Sequence, residues 1–285
     1  MKLILGTANA SSLYSLNQSK KINKKNFINI LNVAYKNKIK FFDTAPKYKN
    51  AEKIIGNLKY KNLNIISKIS NITNKELKKT ILNEFYKSKK KLKIKKLYGL
   101  LIHDMNFFKK KNTRKIVEIL KEIKRNKLVN KIGFSVYEPN DVDFILKFIK
   151  PDIIQLPLSV LDRRFLSTKK IDKLKSLNIE VHVRSIFMKG LLLLDDDKIL
   201  RKLPNFKFVL EKYKNWCIKN KISKHQAAIN FIKNVKNING VVFGVDNTDQ
   251  LTSIISSFKK KSSVFPKNIY LGIPKKHLDI RRWKI

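Results

Sequence analysis

The chain has 285 residues, 43% of them hydrophobic, which is enough for a sizeable core and excludes wholesale disorder. Its formal net charge of +43 would ordinarily suggest a protein that binds nucleic acid or a membrane surface. However, 56 of the 64 basic residues are lysine, and a base-reading surface favours the planar fork of arginine, so we attribute the charge to a compositional bias and expect no specific nucleic-acid partner.

Short strands alternate with amphipathic helices along the whole chain. The predicted strands are Lys2–Leu5, Lys40–Asp43, Leu63–Ser67, Leu97–Ile102, Lys131–Ser135, Asp152–Leu156, Glu180–Arg184 and Val241–Gly244. Between them, apolar residues recur at helical spacing; the clearest sets are Phe27, Ile30, Leu31 and Ala34; Leu77, Ile81 and Phe85; Ile116, Leu120 and Ile123; and Val142, Ile145, Leu146 and Ile149. Eight strand–helix units imply parallel strands, so the sequence predicts a single (β/α)8 TIM barrel over residues 1–285.

The connections favour a closed barrel over an open, doubly wound sheet. An open sheet usually carries a glycine-rich phosphate loop after its first strand, whereas here that turn reads Gly6-Thr7-Ala8-Asn9-Ala10. The longest connection follows the seventh strand, and we interpret about 186–222 as an insertion at the catalytic face. Residues from about 259 to 285 are predicted to form a tail that packs on the barrel through Phe265, Tyr270, Leu278 and Trp283.

Polar side chains stand at the carboxyl ends of consecutive predicted strands, each behind an apolar run. Asp43 ends the second strand, Lys68 the third and His103 the fourth. Singly, Asp43 could equally cap a turn, Lys68 could face solvent and His103 could be a satisfied core histidine. Barrel enzymes build their sites at this end of the strands, so the three together predict a shared catalytic site.

Five motifs, in order along essentially the whole chain, resemble those of the aldo/keto reductase family. They are Asp43-Thr44-Ala45 followed by Tyr48, Glu52 and Gly56; Ser67-Lys68-Ile69; Leu101-Ile102-His103; Ile132-Gly133-Phe134-Ser135; and Val242-Phe243-Gly244. Each motif is weak alone, but the combination is specific. The resemblance implies a barrel enzyme that binds a nicotinamide cofactor and reduces an aldehyde or ketone to an alcohol.

The resemblance also implies a catalytic tetrad of Asp43, Tyr48, Lys68 and His103. Hydride transfer to a carbonyl carbon leaves an oxyanion that must be protonated, and Tyr48 would be the general acid. Because an ammonium group favours a neighbouring phenolate, we expect Lys68 to ease the ionisation of Tyr48, with Asp43 holding Lys68 charged and oriented. His103 would donate a hydrogen bond to the substrate carbonyl, and no metal ion is required.

For the cofactor, the resemblance implies NADP(H), with NAD(H) as the alternative. Ser135 and Gln155 would contact the carboxamide. Three positions depart from the family pattern: Lys49 replaces a glycine after the tyrosine, Val136 replaces an asparagine, and Arg184 replaces a tyrosine that stacks on the nicotinamide. The other expected cofactor residues are Ser185, Phe187 and Gly190 along the pyrophosphate, and Gly244, Asp246 and Gln250 towards the adenosine.

The turn after the last strand bears on cofactor choice. Family members that prefer NADPH commonly carry Lys or Arg there to pair with the 2′-phosphate, whereas this chain has Gln250. Asp246 and Asp249 would repel a phosphate, and a carboxylate can accept hydrogen bonds from a ribose hydroxyl. We therefore expect weak discrimination between the two cofactors.

The sequence specifies the substrate and the cellular compartment less closely. The segments Leu161–Phe165 and Val183–Leu192 look like those of a bacterial subgroup associated with surface polysaccharides, which suggests a sugar-like carbonyl substrate. No apolar run approaches the ~20 residues of a membrane helix, and the one cysteine, Cys217, fits a reducing compartment, so we expect a cytoplasmic protein. A regulatory, cofactor-binding barrel with little turnover is the competing interpretation, against which the joint presence of Tyr48 and Lys68 weighs.

Overall fold

The computed structural model describes residues 1–10, 15–16, 21–70, 76–109, 112–194, 201, 203–261, 264–267 and 273–283. Eight parallel strands in these ranges close into a barrel in chain order, which confirms the predicted (β/α)8 fold. The strands are β1 (Lys2–Gly6), β2 (Phe41–Asp43), β3 (Asn64–Ile69), β4 (Leu97–Ile102), β5 (Val129–Ser135), β6 (Ile153–Pro157), β7 (Glu180–Arg184) and β8 (Gly240–Phe243).

Helices fill the connections between the strands. They are α1 (Lys24–Lys36), α2 (Ala51–Asn57), α3 (Leu77–Leu92), α4 (Met105–Phe108), α5 (Thr113–Arg125), α6 (Pro139–Leu146), α7 (Arg164–Ser167), α8 (Lys170–Ser176), α9 (Lys207–Lys219), α10 (Lys224–Asn234), α11 (Thr248–Lys259) and α12 (Lys275–Leu278), with 3-10 turns at Ala8–Ala10, Met188–Leu193 and Pro204–Phe206. Local caps start several of them: the side chains of Asn23, Ser223 and Asn247 accept backbone hydrogen bonds at the starts of α1, α10 and α11. None of the helices described here has the length and apolar character needed to cross a membrane.

Apolar side chains fill the barrel interior just below the carboxyl ends of the strands. Ile4, Ile66, Leu101, Ile153 and Val242 form one buried cluster there. Side chains alternate along a strand, so the residue two positions after each of these returns to the inside. This alternation places Lys68, His103 and Gln155 above the cluster, at the ends of β3, β4 and β6.

The helices and the C-terminal tail pack on the outside of the barrel. The predicted apolar helix faces are buried except for Leu146, which lies half-exposed at the last turn of α6. From the tail, Leu278 is buried, Phe265 and Trp283 pack against the core, and Arg163 donates to the carbonyl of Pro266 at 2.7 Å. Tyr270, also predicted to pack there, lies outside the described residues.

A charged cluster closes the opposite, amino-terminal mouth of the barrel. Glu180 receives hydrogen bonds or ion pairs from Lys2 and Lys131 at 2.8 Å and from Tyr98 at 2.9 Å, and its carboxylate lies 3.3 Å from His182 Nε2. Burial alone would raise the pKa of Glu180, but its hydrogen bonds outweigh burial and hold that pKa well below its usual range. The carboxylate is therefore more stable in the folded chain than in the unfolded one.

Replacing Glu180 with glutamine should therefore lower the free energy of unfolding at neutral pH by about 1–3 kcal/mol, since its partners lose their acceptor charge. A depressed carboxylate pKa stabilises the fold above the unfolded-state value of about 4.3, and that contribution disappears as the pH falls. Urea unfolding as a function of pH measures both effects. Glu118→Gln, on an exposed surface pair, is the matched control and should change stability by less than about 0.5 kcal/mol. Equal stability of the two variants would contradict this account of the cluster.

Candidate active site

A cavity of about 590 Å³ opens at the carboxyl ends of the strands, within the ~300–1,000 Å³ typical of small-molecule sites. Lys68 lies beneath its wall, 1% exposed. The structure brings the other residues predicted for the site to the lining itself: Asp43, Tyr48, His103, Ser135, Gln155, Arg184, Ser185, Phe187, Gly190, Gly244, Asp246 and Gln250. The sequence-derived residues therefore share one location, while their individual roles stay predictions.

A buried ion pair forms the floor of the cavity. Lys68 Nζ lies 2.5 Å from Asp43 Oδ1 and 3.0 Å from the carbonyl oxygen of Thr44. Gln155 Nε2 donates to the other carboxylate oxygen of Asp43 at 2.8 Å. Because both carboxylate oxygens are engaged, the ammonium group of Lys68 is fixed in position and its charge is largely compensated.

Tyr48 lies above this pair, on the turn between β2 and α2. Lys49, which follows it in place of the family's glycine, adopts a left-handed backbone with φ of 46°. The Nζ atom of Lys68 is 5.4 Å from the centre of the Tyr48 ring.

Burial dominates the pKa of Tyr48. Burial, followed by the negative charge of Asp43, raises the pKa of Tyr48 far above its usual range, and Arg184 opposes the shift. The sequence names Asp43 as the group that orients Lys68, and the structure adds that the negative charge of Asp43 also acts on Tyr48. Tyr48 is therefore held as the neutral phenol, the form from which a general acid donates.

His103 extends from the end of β4 beside Tyr48. The two rings meet edge to face, 6.1 Å between centroids. Ser70 Oγ lies 2.9 Å from His103 Nδ1. Burial, then the nearby cations Lys68, Lys47, Arg184 and Arg281, lowers the pKa of His103 to about 2. A neutral imidazole that accepts from Ser70 at Nδ1 carries its hydrogen on Nε2, where it can donate to a carbonyl oxygen.

Two arginine side chains pack against the ring of Tyr137, which lines the cavity together with Tyr48 and His103. The guanidinium carbons of Arg184 and Arg281 lie 3.9 Å and 3.4 Å from the centroid of the Tyr137 ring. At these distances both cannot occupy one face without overlapping, so they lie on opposite faces. Arg184 also donates to the carbonyl of Val136 at 2.9 Å.

The loop after β7 forms one wall of the cavity and has an unusual backbone. Ser185, Met188 and Lys189 have positive φ angles of 60°, 50° and 56°, a conformation that few residues other than glycine adopt. Phe187 in this loop stacks on His225 at 5.4 Å. Strained backbone that lines a cavity is typical of ligand-binding loops.

The end of β8 forms the opposite wall of the cavity. Asn9 Nδ2 donates to Asp246 Oδ1 at 2.6 Å, which joins the loops after β1 and β8. A Cβ atom on Gly244 would lie 2.8 Å from Asn9 Oδ1, too close for any other residue without a shift. Gln250 Oε1 accepts from the backbone N–H of Asp246 at 2.8 Å. Asp246 and Asp249 make this end of the cavity acidic.

An elongated ligand with polar groups at both ends fits these features. Two buried polar atoms of lining residues lack a hydrogen-bond partner in the described chain, Asn9 Oδ1 at one end and Arg184 Nε at the other. Buried polar atoms are rarely left unsatisfied, so bound ligands are expected at both ends of the cavity. Ser135 and the loop from Ser185 to Gly190 would hold a nicotinamide dinucleotide between them.

Several residues at the site did not emerge from the sequence, including four with ring or hydrogen-bond contacts there. Asn9, Tyr137 and His225 line the cavity, and Arg281 reaches it through the ring of Tyr137. A local signal existed only for Tyr137, which stands two residues after Ser135 at the end of β5. The other three meet the site through contacts between distant segments, which no local pattern encodes.

Comparison with known proteins agrees with this architecture. The family model described as "Aldo/keto reductase family" matches residues 2–266. The fold resembles the glycerol dehydrogenase of Gluconobacter oxydans, with a TM-score of 0.72, 17% identity, and coverage of 92% of this chain and 87% of that one. It also resembles an aldo-keto reductase from Bacillus halodurans in its holo form, with a TM-score of 0.72, 16% identity, and coverage of 97% and 90%. A search of curated protein sequences gave no significant match.

Proposed function

The chain belongs to the aldo/keto reductase family, a family of carbonyl-reducing oxidoreductases, and on that premise we propose that it reduces an aldehyde or ketone with Tyr48 as general acid. One observation carries the proposal: Tyr48 and His103 adjoin each other in the cavity wall, directly above the buried pair of Lys68 and Asp43. A nicotinamide cofactor, when bound, supplies the hydride that reaches the carbonyl carbon.

The chain's own residues prepare the carbonyl oxygen for this step. The phenol of Tyr48 and the Nε2–H of His103 are both neutral donors, and together they polarise the carbonyl and orient it. Burial in the cavity strengthens these hydrogen bonds because little water competes for the same oxygen. The two donors therefore bind most tightly to the oxygen when it carries negative charge.

Protonation completes the reduction. As charge develops on the substrate oxygen, Tyr48 Oη donates its proton, and a phenolate remains on Tyr48. Arg184 lowers the cost of that phenolate, and Lys68 lies 5.4 Å from the ring centre. Asp43 keeps Lys68 protonated and fixed, so the positive charge is present before the reaction begins.

The pKa values lead to a prediction about pH dependence. Tyr48 has a raised pKa and stays protonated as the pH rises, and His103, with a pKa of about 2, stays neutral as the pH falls. Neither group titrates near neutrality, so kcat for reduction should be flat between about pH 6 and pH 9, unlike a reaction that depends on an ordinary histidine. Steady-state rates at saturating substrate and cofactor measure this. A break in log kcat close to the ordinary histidine pKa of about 6.5 would contradict it.

Cofactor choice follows from the acidic end of the cavity. We propose NADP(H) or NAD(H) with weak discrimination, because Asp246 and Asp249 repel a 2′-phosphate and Gln250 provides no charge to bind one. At about 4 Å and an effective dielectric near 20, a pair of unit charges interacts by ~4 kcal/mol, which outweighs the screened field of distant lysines.

The corresponding prediction is that kcat/KM for NADPH and NADH differ by less than about tenfold at one ionic strength. Gln250→Arg should raise the preference for NADPH by about tenfold, because it adds a charge-assisted hydrogen bond. Thr252→Arg, an equal charge on an exposed residue of the same helix, is the matched control and should leave the ratio unchanged. A native preference for NADPH of about a thousandfold or more would reveal a phosphate-binding group elsewhere.

The substrate is proposed to be a small, sugar-like carbonyl compound. The name of one structural relative, a glycerol dehydrogenase, is consistent with hydroxyl-rich substrates for this fold. Loss of the reduced cofactor's absorbance with a panel of small aldehydes and keto sugars tests the proposal. Turnover that depends on Tyr48 supports it. Cofactor binding without turnover of any carbonyl would instead favour a regulatory barrel.

A further inference from the structure

Arg184, at the cavity, has no carboxylate partner among the described residues. In the part of the chain that the structure describes, no carboxylate lies within ion-pair distance of Arg184, whereas Arg164 pairs with Asp162 and Arg281 with Asp279. Arg184 donates to Val136 O at 2.9 Å and to Ser185 Oγ at 3.4 Å, and its Nε is buried without an acceptor. The nearest catalytic carboxylate, Asp43, is committed to Lys68 and Gln155. Arg184 is partly exposed towards the cavity, and a charge without a counter-ion beside a buried, unsatisfied Nε favours an anionic ligand there.

Arg281 adds a second guanidinium to the same place. It lies on the opposite face of Tyr137 from Arg184, and Asp279 holds it from one side through bonds of 2.7–2.9 Å that involve Nε and Nη2. Among the described residues no acceptor bonds its Nη1, and its side chain is 44% exposed. Planar guanidinium groups bind carboxylate and phosphate in a fork geometry.

The position of Arg184 and Arg281 at the cavity assigns this anion to the substrate. Arg184 lines the cavity together with His103, and Arg281 contacts the ring of the lining residue Tyr137, whereas Asp246 and Asp249 lie at the other end of the cavity. The positive charges of both arginines contribute to the lowered pKa of His103. The charge of Asp104 also helps to raise the pKa of Arg281, but the carboxylate of Asp104 is engaged at the start of α4, where it accepts from the Asn106 N–H at 2.9 Å. The end at which the carbonyl reacts is therefore cationic.

We propose that Arg184 and Arg281, one on each face of Tyr137, bind a carboxylate or phosphate group of the carbonyl substrate. The preferred substrate class is then an anionic aldehyde or ketone. This inference rests on the proposed function for the identity of the reacting group, but the anion site itself can be tested without turnover.

Binding of unreactive analogues tests the site directly. Benzoate and benzamide have nearly the same shape, and only benzoate carries a charge. With oxidised cofactor present, benzoate should bind at least about tenfold more tightly, and added sodium chloride should reduce that margin. Equal dissociation constants would overturn the inference whether or not the chain reduces carbonyls.

A pair of neighbouring arginines supplies the matched variants. Arg281→Gln should lose about tenfold in affinity for benzoate and in kcat/KM for 4-carboxybenzaldehyde, with little change for the neutral 4-carbamoylbenzaldehyde. Arg282→Gln removes a charge that also faces Asp279 but is 68% exposed, and it should retain the preference for the carboxylate.

The outcomes separate this inference from the proposed function. Reduction of both aldehydes at equal efficiency would overturn the anionic preference and leave the reductase intact. Reduction of neither aldehyde, with benzoate still preferred, would support the anion site and count against the reductase. Weaker binding of the cofactor to Arg281→Gln, with benzoate affinity unchanged, would assign the guanidinium to a cofactor phosphate and overturn the inference.

Discussion

Lys68→Met is expected to lower kcat for carbonyl reduction by about 10²-fold or more, while the dissociation constant of the cofactor changes by only a few-fold. Methionine keeps the length of the side chain but removes the charge that lies 5.4 Å from the Tyr48 ring centre. Without that charge, the phenolate left by proton donation faces the uncompensated carboxylate of Asp43. Stopped-flow turnover and fluorescence titration of the cofactor measure the two quantities separately.

The same substitution should also destabilise the fold, by ~3–5 kcal/mol, because it leaves the buried carboxylate of Asp43 unpaired. The double variant Lys68→Met/Asp43→Asn removes both charges and is the control. It should recover most of the stability and little of the activity. Turnover of Lys68→Met within a few-fold of the parent, or recovered turnover in the double variant, would show that Lys68 acts only as a structural group.

Tyr48→Phe is expected to lower kcat by ~10²–10⁴-fold, since it removes the proton donor and one of the two hydrogen bonds to the carbonyl oxygen. The ring, its edge-to-face contact with His103 and the cavity shape are retained. Cofactor affinity and thermal stability should therefore stay close to those of the parent. Rates under single-turnover conditions report the chemical step without product release.

Tyr60→Phe is the matched control for loss of a phenol hydroxyl. Tyr60 donates to Asn32 at 2.5 Å, and neither residue lines the cavity. Its kcat should equal that of the parent within about twofold. If Tyr48→Phe retained kcat while both variants stayed folded, another group would have to be the acid.

Much of the fold could be predicted from the sequence, as could the convergence of the site residues at the carboxyl ends of the strands, because both depend on local patterns. The period-two alternation that makes Ile66 and Leu101 interior residues also makes Lys68 and His103 interior, and parallel strands bring their carboxyl ends together. Strand ends were accordingly predicted to within about two residues. The tight contact at Gly133, where a Cβ would lie 2.1 Å from Ile153 O, also falls within a sequence motif.

What could not be predicted depends on contacts between distant segments. Arg281 and Tyr137 lie far apart in the sequence, yet their side chains are in contact. No local pattern near either residue indicates that contact. The sequence pointed to Lys68 as a neighbour that favours the Tyr48 phenolate, but it did not indicate that burial and the charge of Asp43 raise the pKa of Tyr48. The direction of a pKa shift depends on the complete set of neighbours, and the sequence gives only some of them.

The central claim, that the chain transfers hydride to a carbonyl carbon with Tyr48 as the proton donor, is tested most directly by isotope transfer. Reduced cofactor that carries deuterium at its hydride position is incubated with the parent protein and the aldehyde that it reduces best. Mass spectrometry should find one deuterium on the carbinol carbon of the alcohol, formed by the parent and by Tyr60→Phe, and about 10²-fold less product from Tyr48→Phe. An alcohol without deuterium, or equal labelled product from Tyr48→Phe, would contradict the account.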